Sequence, residues 1–178
     1  MPVVAIRADF LHCLRDPGLD GSDASAIEHV RDGVLLVRDG RVERLAPAAA
    51  VLPAIGPDVA LHDLRGALVV PGFVDTHVHF PQVDVIASHG SQLLDWLERY
   101  TFPEERRFAE AAHARAAAGF FLDRLLENGT TTASVFCTVH PGSVDAFFEA
   151  SEARGLLMVA GKCLMDRHAP DGLRDTAD

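Results

Sequence analysis

The sequence predicts an α/β protein in which a parallel sheet with helical crossovers follows a small β module. Three observations point there. After residue 66, strand-like runs alternate with longer helical segments; before it, short apolar runs flank turn residues; and one strand-like run, "PGFVDTHVHFPQ", carries Asp75, His77 and His79 at every second position.

Residues 1–66 read as short strands joined by turns. In "GVLLVRDGRVERLAP", Val34 to Val37 and Val42 to Leu45 flank Asp39-Gly40, and Asp-Gly is a hairpin signal because both residues accept positive φ. The following stretch contains Pro53, Gly56, Pro57 and Gly66, which argues against a long regular element. Residues 67–178 form the second domain. "ALVVPGFVDTHVHF" is its first strand region, and a connection through "SQLLDWLERY" leads to one long helix, "TFPEERRFAEAAHARAAAGFFLDRLLENG". Pro103 suits the first turn of that helix, Glu104 and Glu105 favour the positive end of its dipole, and Asn128-Gly129 stops it. "TTTASVFCTV", "PGSVDAFFEASEARG" and "LLMVAGKCLMD" then read as strand, helix and strand, the βαβ order of a parallel sheet.

Composition narrows the class of function. With 178 residues, 48% of them hydrophobic, the chain suffices for one globular domain, or for one domain plus a small appendage. Cys13, Cys137 and Cys163 are widely spaced and odd in number, as reduced packing residues are. A net charge of −10 disfavours a nucleic acid polymer as partner, because such proteins cluster Lys and Arg. No apolar run approaches a membrane span, and "MPVVAIRADFLHC" lacks a signal-peptide core. A cytoplasmic location is the expectation.

The polar strand face calls for compensation. Side chains alternate along a strand, so Asp75, His77 and His79 share one face, with Val74, Thr76, Val78 and Phe80 on the other. Unpaired ionisable groups on a buried face cost several kcal/mol. Two imidazoles two residues apart can converge on a divalent metal, with Asp75 supporting them or capping the strand end. His-x-His alone is weak, since nine histidines in 178 residues produce about half of one such triplet by chance. Its place at the C-terminal edge of a parallel sheet, where sites form, strengthens it.

"PGFVDTHVHFPQ" resembles the Pro-Gly-x-x-Asp-x-His-x-His signature of the amidohydrolase superfamily. "QLLDWLERYTFPEERRF", "LLENGTTTASVF", "TVHP" and "GKCLMDRHAPD" further resemble its guanine deaminase family. The resemblance implies a partial (β/α)8 TIM-type barrel of about three strand-helix units after a β-sandwich-like module, and hydrolysis of guanine to xanthine and ammonia. It makes His77 and His79 ligands of Zn2+, although imidazole suits Fe2+ as well. It places Gln82 on the guanine edge, with His79, Phe80 and Pro81 beside it, and implies a homodimer when complete. A related hydrolase of another aminated heterocycle, an s-triazine or a pyrimidine, is the alternative, as is an inactive fragment or association module.

A (β/α)8 barrel takes about 250 residues, so the chain reads as the N-terminal part of such an enzyme. The remaining ligands and the catalytic Glu are expected beyond residue 178. His140 and His168 follow the second and third strands and could rim the pocket. Trp96, with Leu93, Leu94 and Leu97 at helical spacing, reads as core or lid packing, with stacking on a purine as the other option. Lys162 reads as structural. Glu104 to Arg107 read as a solvated helical turn, and His12, His29, His62, His89 and His113 as surface or turn residues.

Overall fold

The computed structural model describes residues 3–90 and 92–175. They fall into two compact units, Met1–Pro71 and Gly72–Asp178.

The first unit is built on a four-stranded sheet. β1 (Val3–Cys13), β2 (Ile27–Arg38), β3 (Arg41–Pro47) and β4 (Ala60–Val69) stand in the order β3-β2-β1-β4. β2 and β3 form the expected hairpin, with Asp39 at φ 53° and Gly40 at φ 74°. Helix α1 (Ala48–Val51) follows, and Ala48 and Val51 bury against Ala5 and Val34. The expectation of no long element between residues 48 and 66 fails at β4, a ten-residue strand parallel to β1. Gly66, at φ 91°, and a register shift against β1 between Arg7 and Asp9 let the strand pass the glycine as an irregularity. Residues 67–69 thus finish β4 rather than opening the next strand, and the units divide at Pro71 and Gly72 instead of at residue 66.

The second unit holds a parallel sheet of β5 (Phe73–His79), β6 (Thr130–Phe136) and β7 (Leu157–Gly161), in that order. Between β5 and β6 run α2 (Leu93–Trp96), a π turn (Leu97–Thr101), α3 (Phe102–Arg107) and α4 (Ala111–Glu127); α5 (Pro141–Ala153) joins β6 to β7. The long helix expected from Pro103 is therefore two helices. The Phe102 N–H bonds the Leu97 carbonyl across the π turn, a widened turn that admits a proline inside a helical run. At the other end Phe108 turns into the core at 1% exposure, and Glu110 adopts extended backbone at ψ 115°. Those two residues break the helix.

Helix α4 packs closely because Ala114, Ala117 and Ala118 form its buried stripe with Phe121 and Leu122. It stops as its sequence predicts: Asn128 Nδ2 donates to the Arg124 carbonyl at 2.8 Å, and Gly129 takes φ 82°. β7 ends at Gly161, and residues 162–175 are irregular, anchored by buried Leu173 and by Asp175 N–H donating to the Met165 carbonyl at 2.8 Å. No helix among the described residues is long and apolar enough to cross a membrane.

Candidate metal centre

The C-terminal end of β5 and the 3-10 turn after it, Phe80–Val85, carry the site. Asp75 Oδ1 accepts the His77 backbone N–H at 3.0 Å, so its carboxylate braces the strand where the register against β6 shifts between Asp75 and Val78. His77 and His79 still converge. Their Nε2 atoms lie 3.3 Å apart, and the rings meet edge-on with centroids 5.2 Å apart. Phe136 at the end of β6 stacks on His79 at 4.8 Å and 13° and tilts against His77 at 5.1 Å. Burial, then the neighbouring His77, hold His79 below its ordinary pKa, which favours the neutral imidazole a metal requires.

The two nitrogens fit a metal. With Zn–N bonds of about 2.0–2.1 Å, two corners of a tetrahedron are about 3.3 Å apart. Among the described residues, the three-residue cluster with donor atoms inside 4.8 Å is a different one: Asp84, Glu104 and His113. Arg107 Nη1 already donates to Glu104 at 2.6 Å and to Asp84 at 3.5 Å, and His113 Nε2 lies 2.8 Å from Glu104. A guanidinium occupies the place of the cation there.

His77, His79, Gln82 and Trp96 line one cleft of about 580 Å³, with Phe120 and Arg124 among its other walls. Trp96 Nε1 donates to the Ser88 carbonyl at 3.1 Å, which pins its ring to the loop after the 3-10 turn. Leu93 and Leu94, expected to pack with it, are 69% and 72% exposed.

Several expected residues stand elsewhere. Phe80 and Pro81 do not face the cleft. Phe80 is fully buried against Phe108 and Phe147 at 5.3 and 5.2 Å, and Pro81 is buried with it, because the chain turns into the core as β5 ends. The apolar strand face is likewise incomplete: Val78 packs on the core, whereas Val74 is 64% exposed. His140 caps the start of α5, its Nε2 buried and without a hydrogen-bond partner among the described residues, and it is not among the residues that line the cleft. His168 is exposed, in left-handed backbone at φ 57°. Lys162 pairs with Asp175 at 2.5 Å. Burial pushes the Cys137 thiol up to about 12 and raises Cys163 as well, so neither offers a thiolate.

The reading of Glu104 to Arg107 as a solvated turn is corrected at its two acids, and that of His113 as a surface residue is corrected with it. Glu104 and Glu105 are 8% and 7% exposed, and His113 packs edge-on against Phe108 at 4.6 Å. Glu105 Oε1 lies 3.4 Å from Gln82 Nε2, which in turn lies 3.4 Å from His79 Nδ1. Thr101, Glu104, Glu105 and Phe108, all buried, stand at i, i+3, i+4 and i+7. That helical stripe was the signal in the sequence, masked by the charge of two of its members.

The model of the Amidohydrolase family matches residues 68–178. The guanine deaminase of Escherichia coli (strain K12) is 47% identical over 174 residues, which cover 98% of this chain and 40% of that protein. The solved E. coli guanine deaminase superposes with a TM-score of 0.89 at 44% identity, over 99% of this chain and 40% of that one. The guanine deaminase from C. acetobutylicum, solved with guanine bound in its active site, matches with a TM-score of 0.81 at 26% identity, over 98% of this chain and 39% of that one. The chain thus spans about two fifths of the length of the relatives it matches.

Proposed function

The chain belongs to the amidohydrolase family, and from that premise we propose that the complete polypeptide containing it hydrolyses guanine to xanthine and ammonia. In this reading the parallel sheet of Gly72–Asp178 belongs to a (β/α)8 barrel, and Met1–Pro71 is a sandwich-like module of the same protein. His77 and His79 are two of the ligands of a zinc ion. The single observation that carries the reading is the 3.3 Å approach of their Nε2 atoms on a cleft that Gln82 also lines. The identity to the E. coli guanine deaminase along nearly all of this chain supports guanine as the substrate.

The metal, when bound, supplies Lewis-acid polarisation and water activation. The residues of this chain hold and orient. Phe136 fixes the planes of both imidazoles, and Asp75 fixes the backbone between them. The Gln82 carboxamide, which can donate and accept, meets the edge of the base, and Trp96 walls the same cleft.

Guanine turnover by the complete polypeptide tests this reading. His77→Ala or His79→Ala should each abolish it, and full activity in either variant would sink the assignment.

A further inference from the structure

A buried carboxylate with an amide as its hydrogen-bond partner is an unusual thing to keep inside a fold. Glu105 is 7% exposed, and among the described residues its side chain bonds the Gln82 carboxamide and pairs with no cation. Taking a carboxylate out of water costs several kcal/mol unless something holds it. Packing alone would be served better by an apolar side chain of the same size.

We propose that Glu105 is a positioning residue, which holds the Gln82 carboxamide in one orientation and thereby leaves its carbonyl oxygen free to accept an N–H of the bound base. The inference rests on the functional reading above, in which Gln82 meets the substrate. Its chemistry is simple. An ionised carboxylate only accepts hydrogen bonds, so the amide end that faces Glu105 must be the NH2. Gln82 Nε2 lies 3.4 Å from Glu105 Oε1, and Oε1 of the same amide is the atom left for a ligand.

The frame around this contact is stiff. Arg107 Nη1 bonds Glu104 at 2.6 Å and reaches Asp84 at 3.5 Å, and Glu104 also meets His113 at 2.8 Å. Helix α3 is therefore tied both to α4 and to the 3-10 turn that carries Gln82. Glu105 meets that turn from the adjacent position on α3, so two links set the distance between them. Burial raises the pKa of Glu105, and the Gln82 amide opposes that rise by donating to the charged form.

The test is a double-mutant cycle in the complete polypeptide, reading kcat and KM for guanine. Glu105→Leu removes the acceptor and keeps the bulk. It should raise KM about tenfold, the scale of one lost hydrogen bond, while kcat changes less. Glu105→Gln, whose carbonyl still accepts, should recover part of the loss. In a Gln82→Ala background, Glu105→Leu should have no further effect, because a residue that acts through Gln82 has nothing left to act on. The same loss in both backgrounds, or none in either, overturns the proposal.

If the unmodified polypeptide does not turn over guanine, the functional reading has failed. The link is then decided on the 178-residue chain by nuclear magnetic resonance. Slow hydrogen exchange of the Gln82 side-chain NH2 that Glu105→Leu abolishes supports the Glu105–Gln82 contact; exchange equally fast in both chains removes it.

Discussion

The Nε2 atoms of His77 and His79 stand 3.3 Å apart, closer than two residues on one strand face need to be. An imidazole pair at that distance is either joined by one shared proton or drawn together by one cation. Phe136 packs against both rings as well, stacked on His79 and tilted against His77, so a third ring helps to set their planes. On the function proposed above, His77→Ala or His79→Ala should each lower the divalent metal bound by the complete polypeptide. Elemental analysis of the purified protein checks this without reference to activity.

Phe80 lies under the site rather than in it. Fully buried against Phe108 and Phe147, it anchors the turn from which Gln82 projects. Phe80→Ala should cost about 3–5 kcal/mol of stability, read by urea denaturation. Phe80→Leu, which keeps most of the volume, should cost much less.

Gly72 enters β5 against Thr131, and a Cβ there would meet Thr131 Oγ1 at 2.1 Å, its Cγ2 at 2.5 Å and its Cβ at 2.8 Å. Gly72→Ala should destabilise the fold by about 1–3 kcal/mol. Adding Thr131→Ala removes the two nearest atoms and should restore part of the loss. A denaturation midpoint for the double variant no higher than that of Gly72→Ala would show that the clash does not set the cost.

His140 is desolvated and held below its usual pKa of 6.5. The unfolded chain then takes up the proton first as pH falls, so the stability is present above 6.5 and is lost as pH drops through the depressed folded value. The urea midpoint should be lower at about pH 5.5 than at about pH 7.5. His140→Gln should reduce that difference.

Glu105 has the opposite sign. Its pKa is raised by burial from 4.5, so the folded chain takes up this proton before the unfolded one, and stability rises as pH falls through the raised value. Glu105→Gln lacks that ionisation. At neutral pH it should melt at the same temperature as the unmodified chain or higher, and the gap should close as pH is lowered. A variant that melts far below the unmodified chain at every pH would mean that the carboxylate stabilises the fold.

Apart from β4, which the sequence reading missed, the order of strands was legible because it rests on local chemistry. The Asp39-Gly40 hairpin, the Asn128-Gly129 stop and the β-branched run of β6 are decided by residues within a few positions of one another, and they stand as read. The alternation along β5 likewise put His77 and His79 on one face, which is where their rings meet. The interruption of α3 and α4 was less legible. Pro103 is tolerated through a π turn, and Phe108 leaves the helix to fill a core assembled from distant segments.

Tertiary packing decided what each side chain beside the histidines does. Composition cannot tell that Glu104 and Glu105 are buried, since the partners that make this tolerable, His113 and Gln82, come from other elements. Nor can adjacency to His79 tell that Phe80 and Pro81 turn inward while Gln82 faces the cleft. By itself the sequence determined the strand, its two imidazoles and the helices around them, because period and turn chemistry are short-range. Which neighbours join those imidazoles depended on the path of the chain after β5, and long-range burial alone sets that path.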